Sequence, residues 1–119
     1  MLRTALAALV AVAALALVPT AMSTSTKTPM LTGTVGPGFT ISLKRGTKKV
    51  TSLKAGKYKF KISDRSSIHN FALKGKMKKV LTSVSFTGSK TVTITLKKGK
   101  YTFYCQPHPT TMKGSFTVK

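Results

Sequence analysis

The chain has 119 residues, room for one small domain, so its function must reside in one site or surface rather than in cooperating domains. It carries 21 basic residues against a single acidic one, for a formal charge of +20, which excludes chemistry that needs paired carboxylates. A lone cysteine excludes an intramolecular disulfide, an iron–sulfur cluster and a haem attached through two cysteines.

The first segment stands apart. Arg3 precedes an unbroken apolar run from Ala5 to Val18, followed by Pro19 and the small-residue stretch Ala21-Met22-Ser23. That run is shorter than the roughly 20 residues a membrane-spanning helix needs. Cleavage after Ser23 satisfies the small-x-small preference, so residues 1–23 read as a secretory signal peptide, with an uncleaved N-terminal anchor as the alternative. The expected destination is the periplasm, the cell surface or the extracellular space. Losing Arg3 with the leader lowers the formal charge by one. Residues 24–30 are polar and aperiodic and read as a flexible linker, leaving 31–119 as the folded domain.

From Leu31 onward, short segments alternate with period two between glycines, and no stretch has helical periodicity. Phe39, Ile41 and Leu43 predict one inward face, and Tyr58, Phe60 and Ile62 a second. Strands are also expected at Asn70–Leu73 and Val84–Phe86. Val92, Ile94 and Leu96 alternate with Thr91, Thr93 and Thr95; Tyr101, Phe103 and Cys105 share the next face, and Phe116 with Val118 closes the domain. Seven or eight strands at this spacing predict an all-β Greek-key sandwich or barrel.

An internal echo supports that architecture. Leu53-Lys-Ala-Gly-Lys-Tyr58-Lys-Phe60 is nearly repeated as Leu96-Lys-Lys-Gly-Lys-Tyr101-Thr-Phe103. Each copy reads as a tyrosine corner: the glycine permits the turn, the leucine plugs the core, and the tyrosine hydroxyl bonds back to upstream backbone where the chain crosses between sheets.

Lysines that alternate with apolar residues, as in Tyr58-Lys59-Phe60-Lys61-Ile62, belong on solvated strand faces, where they also discourage edge-to-edge association. Their one-sidedness favours acidic partners: an acidic redox protein, an anionic cell-envelope polymer or a membrane surface. Nucleic acid is not expected, because no arginine-rich or aromatic stacking motif is present. The domain is expected to be monomeric.

Chemistry concentrates near the C-terminus. Tyr104-Cys105-Gln106-Pro107-His108-Pro109-Thr110-Thr111-Met112 sets thiolate, imidazole and thioether donors at C-x2-H-x3-M spacing, and the second histidine lies upstream in Ile68-His69-Asn70-Phe71. Taken singly, Cys105 reads as a core thiol, His69 as a satisfied loop histidine and Met112 as packing. Together they make a soft donor set suited to copper: two imidazoles and a thiolate in a plane, with a weak axial thioether, form an electron-transfer geometry. Structural zinc sites use more cysteines, and catalytic ones lack a thioether.

In His69-Asn70-Phe71, Cys105-Gln106-Pro107-His108 and Met112-Lys113-Gly114, residues 31–119 resemble the cupredoxins, the family of plastocyanin, amicyanin, pseudoazurin and azurin. The resemblance implies one copper ion bound by His69, Cys105, His108 and Met112, with both histidines binding through Nδ1. It further implies that Asn70 ties the His69 loop to the cysteine loop and offers its N–H to the thiolate, and that His108 lies near the surface as the electron port. Pro107 lacks an N–H to give the sulfur and, with Pro109, stiffens the loop. The spacing from His108 to Met112 falls between two family loop lengths, so an open axial position or an axial water is the alternative to Met112. The implied function is one-electron transfer without enzymatic chemistry. Rival readings are copper storage or delivery on the same fold, and a cationic envelope-binding domain with a degenerate copper site.

Overall fold

A computed structural model describes residues 27–119; the apolar leader and residues 24–26 of the linker lie outside the described residues. Ten strands follow in chain order: β1 Met30–Val35, β2 Ile41–Arg45, β3 Lys48–Lys49, β4 Ser52–Leu53, β5 Gly56–Asp64, β6 Ala72–Lys74, β7 Lys78–Val80, β8 Gly88–Leu96, β9 Gly99–Tyr104 and β10 Lys113–Val118. They form an all-β sandwich of two five-stranded sheets, ordered β3-β2-β1-β5-β8 and β4-β10-β9-β6-β7. Both sheets are mixed, since β1 runs parallel to β5 and β10 parallel to β4.

Strict alternation on the long strands builds the core between the sheets. β5 turns Tyr58, Phe60 and Ile62 inward, β8 contributes Ile94 and Leu96, and β9 contributes Tyr101 and Phe103. Phe71 stacks on Phe103 at 5.7 Å between ring centres, and Tyr101 on Phe116 at 5.4 Å. Offset aromatic pairs of this kind add about 0.5–1.5 kcal/mol each beyond the area they bury.

Both tyrosine corners form where the chain changes sheets. Between β4 and β5 the Tyr58 hydroxyl donates to Lys54 O at 2.7 Å; between β8 and β9 the Tyr101 hydroxyl donates to Lys97 O at 2.7 Å and accepts from Lys97 N–H at 3.1 Å. Gly56 and Gly99 make the two turns with φ of 148° and 150°, a region costly for any residue with a Cβ.

Four expectations are corrected. Phe39 does not share the inward face of Ile41 and Leu43: it lies inside the turn that Gly36 N–H closes on Thr40 O at 2.8 Å, before β2 begins, and is 63% exposed. Val84–Phe86 is a turn, closed by Phe86 N–H on Ser83 O at 3.1 Å, in a stretch whose serines and threonines offer local alternatives to ladder pairing. The strand expected at Asn70 begins only at Ala72. Met30, read as linker, already pairs with Lys59 in β1. The strand count exceeds the expected seven or eight because β3, β4 and β7 are only two or three residues long and too short to show alternation.

Candidate metal centre

Two loops at one end of the sandwich supply the donor atoms. The first runs from the end of β5 to β6 and carries His69; the second runs from β9 to β10 and carries Cys105, His108 and Met112. The second loop is closed by its own backbone: His108 N–H donates to Cys105 O at 3.1 Å, Met112 N–H to His108 O at 3.0 Å and Cys105 N–H to Met112 O at 3.0 Å. This wraps the Cys105–Met112 segment into a small ring that buries Met112 and Cys105 and leaves His108 half-buried.

Three of the four predicted donors converge. Cys105 Sγ lies 3.7 Å from His69 Nδ1 and 3.7 Å from His108 Nδ1, and the two Nδ1 atoms are 3.0 Å apart. The point equidistant from these three atoms is about 2.0 Å from each, which is metal–ligand bonding distance for nitrogen and slightly short of it for sulfur. Two imidazole lone pairs facing each other at 3.0 Å repel unless a proton or a cation sits between them, so the arrangement suits a cation at its centre. Met112 is buried at the base of the same loop, joined to Cys105 and His108 through its backbone.

The two loops are also fastened to each other. Asn70, fully buried, accepts from Gln106 N–H through Oδ1 at 2.8 Å and donates through Nδ2 to Gln106 Oε1 at 2.8 Å. Pro107 and Pro109 are exposed on the outer turns of the ring.

Three participants carried no assigned role in the sequence. Gln106 is one: it stands between two donors, yet only the structure shows it gripping Asn70. Phe39 is the second. Its ring meets His69 and His108 edge-on, with centroids 5.0 Å from each, so it covers the outer side of both imidazoles. The Gly36-Pro37-Gly38 turn before it was the readable sign that Phe39 belongs to a loop. Asp64 with Thr82 is the third. Asp64, 2% exposed at the end of β5, accepts from Ser66 N–H at 3.1 Å and from the Thr82 hydroxyl at 2.9 Å, and that hydroxyl accepts from Phe71 N–H at 2.9 Å. Burial pushes the Asp64 carboxyl above the ordinary 3.8, opposed by these hydrogen bonds and by the nearby His69.

The sequence model for copper binding proteins of the plastocyanin/azurin family matches residues 37–119. The chain belongs to that family. No curated protein sequence matches it. Among solved structures this cupredoxin is similar to rusticyanin, described as a copper protein, with a TM-score of 0.57, 20% identity and 76% of each chain covered. It is also similar to reduced rusticyanin, at a TM-score of 0.53 and 20% identity over 76% of this chain and 78% of that one. A third match is rusticyanin from Thiobacillus ferrooxidans, with a TM-score of 0.50, 21% identity and 76% of each chain. At such identities the likeness shows the fold alone. The family and the converging donors make this cupredoxin a copper protein, with one candidate metal site among the described residues.

Proposed function

We infer that the protein is an electron carrier with one type 1 copper site, in which His69, Cys105, His108 and Met112 would hold the ion. The observation that carries the reading is the triangle of Sγ and two Nδ1 atoms, equidistant from a point at bonding range. A copper ion held there supplies a one-electron couple. The chain's own part is to keep the donors fixed: the Asn70–Gln106 clamp and the closed Cys105–Met112 ring resist the movement that a change of charge would otherwise demand. Asn70 is further assigned the N–H that faces the thiolate, and Pro107 the role of withholding a second one. Half-buried His108 is the exit for the electron, and the partner is a redox protein, acidic in character. The leader 1–23 directs export, the linker follows, and the domain works outside the cytoplasm without catalysing a reaction.

The test is to add Cu(II) to the purified protein and record its visible spectrum, paramagnetic resonance and voltammetry. An intense thiolate-to-copper band with reversible one-electron cycling is expected. Cys105→Ser should abolish the band by removing the charge-transfer donor, while Met112→Leu should keep the copper and raise the potential. A band that survives Cys105→Ser overturns the ligand set; binding of Cu(I) alone, without reversible cycling, turns the assignment to storage.

A further inference from the structure

The outer face of the first sheet has a charge pattern that the copper site does not use. While Tyr58, Phe60 and Ile62 point into the core, Lys57, Lys59 and Lys61 point outward from β5, between β1 and β8. Alternate residues of a strand stand about 6.7 Å apart, so their stems form an evenly spaced row. The register sets Thr95, Thr93 and Thr91 opposite them on β8, and Met30 and Thr32 opposite Lys59 and Lys61 on β1. Beyond Thr32 come Lys44 and then Lys49, directly opposed across β2 and β3.

Five lysines and a field of hydroxyls thus share one face without a carboxylate, because Asp64, the sole acidic residue, is buried on the inner side. An ordinary solvated face mixes the two signs, and like charges placed opposite each other, as Lys44 and Lys49 are, cost stability. A bound polyanion would relieve that cost.

We propose that this face binds a linear polymer of spaced phosphate groups. Lysine binds phosphate as a point charge, and this face presents five such charges at spaced positions, which matches a chain that carries a negative charge at intervals. Protein interfaces are built round aromatic or apolar anchors, and firm seating on a lipid surface adds apolar insertion to charge attraction; here Met30 is the only large apolar side chain exposed on the face. The metal centre lies on loops beyond the Asp64 end of β5, whereas the lysine row begins at its Gly56 end, so a polymer on this face leaves His108 open.

The test measures retention of the full-length protein on immobilised poly(glycerol phosphate) over a range of salt. Lys57→Gln/Lys59→Gln/Lys61→Gln should reduce the slope of log affinity against log salt by about 2, from roughly 0.7 per charge on a flexible polyanion. Lys74→Gln/Lys78→Gln/Lys100→Gln removes the same charge from the second sheet and should leave the slope nearly unchanged. The polymer should also raise the melting temperature of the parent protein and not that of the first variant. Equal losses from both variants mean that net charge alone binds, and overturn the proposal. It is likewise overturned if phosphatidylglycerol vesicles or polyglutamate depend on Lys57, Lys59 and Lys61 as strongly as the polymer does. The proposal is independent of copper, and the circular-dichroism spectrum of each variant serves as its folding control.

Discussion

Replacing Asn70 by alanine tests whether the two loops are held by the clamp or merely lie side by side. The change deletes two neutral hydrogen bonds of 2.8 Å, each worth about 1 kcal/mol. It also strands the part-buried Gln106 N–H, and an unmade bond of that kind costs about 1–3 kcal/mol. Counting the Gln106 N–H bond once, as the unmade bond, gives a total of about 2–4 kcal/mol, which for a domain of this size lowers the melting temperature by roughly 8–32 °C. Gln106→Ala is the comparator. Gln106 is exposed, water can replace its Oε1, and Asn70 Oδ1 still accepts from the backbone N–H at position 106, so the cost should be about 1 kcal/mol. Thermal unfolding of the metal-free single and double variants, followed by circular dichroism, closes the cycle. The double variant should cost little more than Asn70→Ala, because the Gln106 side chain has no partner once Asn70 is gone. Equal losses from the two single variants, or less than about 1 kcal/mol from Asn70→Ala, would refute the clamp.

The tyrosine corners differ in bonding: Tyr101→Phe loses a donated and an accepted bond and should cost about 2 kcal/mol in denaturant unfolding, against about 1 for Tyr58→Phe; the reverse order contradicts the geometry. Burial raises the Asp64 pKa, so the native state holds that proton more tightly than the unfolded chain. Stability should therefore fall as pH rises from the ordinary 3.8 through the raised value and level off above it. Asp64→Asn should remove this decline in urea midpoints, and a decline that persists in the variant shows another group to be its source. Phe39→Ala should cost less than about 1 kcal/mol, since the ring is 63% exposed, yet it should shift the ring-proton resonances of His69 and His108. Unmoved imidazole signals would mean that the ring does not cover them in solution.

The parts of this molecule legible in the sequence are those where one residue type can play one role. Long period-two stretches such as Tyr58–Ile62 and Val92–Leu96 could only be half-buried strands, and the repeated Leu-x-x-Gly-x-Tyr pattern placed both sheet crossings. Cys105, His69 and His108 are the chain's only thiol and imidazoles, so the spacing had few other ways to gather them. Phe39 was misread because alternation carries no record of where a turn ends and a strand begins: its parity with Ile41 holds by coincidence, since the turn closed by Gly36 and Thr40 still contains it. The Asn70–Gln106 and Asp64–Thr82 contacts escaped for a different reason. They join residues 36 and 18 positions apart, and polar side chains give no periodic sign of a distant partner.

Those two long-range contacts bracket His69 on either side. Before it, Asp64 holds Ser66 and Thr82, and through Thr82 the N–H of Phe71; after it, Asn70 grips Gln106 beside Cys105. The loop that carries His69 is therefore held by polar bonds on both flanks, although it has no strand pairing of its own. The opposing loop is fixed separately by the Cys105–Met112 ring. A metal entering such a site has little chain to order, so its binding energy is not spent on immobilising loops, and the positions of Sγ and both Nδ1 atoms are set by the protein rather than by the ion. Weakening either bracket should then lower metal affinity through lost preorganisation, and Asn70→Ala with Asp64→Asn should be non-additive, because both loosen the one loop that carries His69.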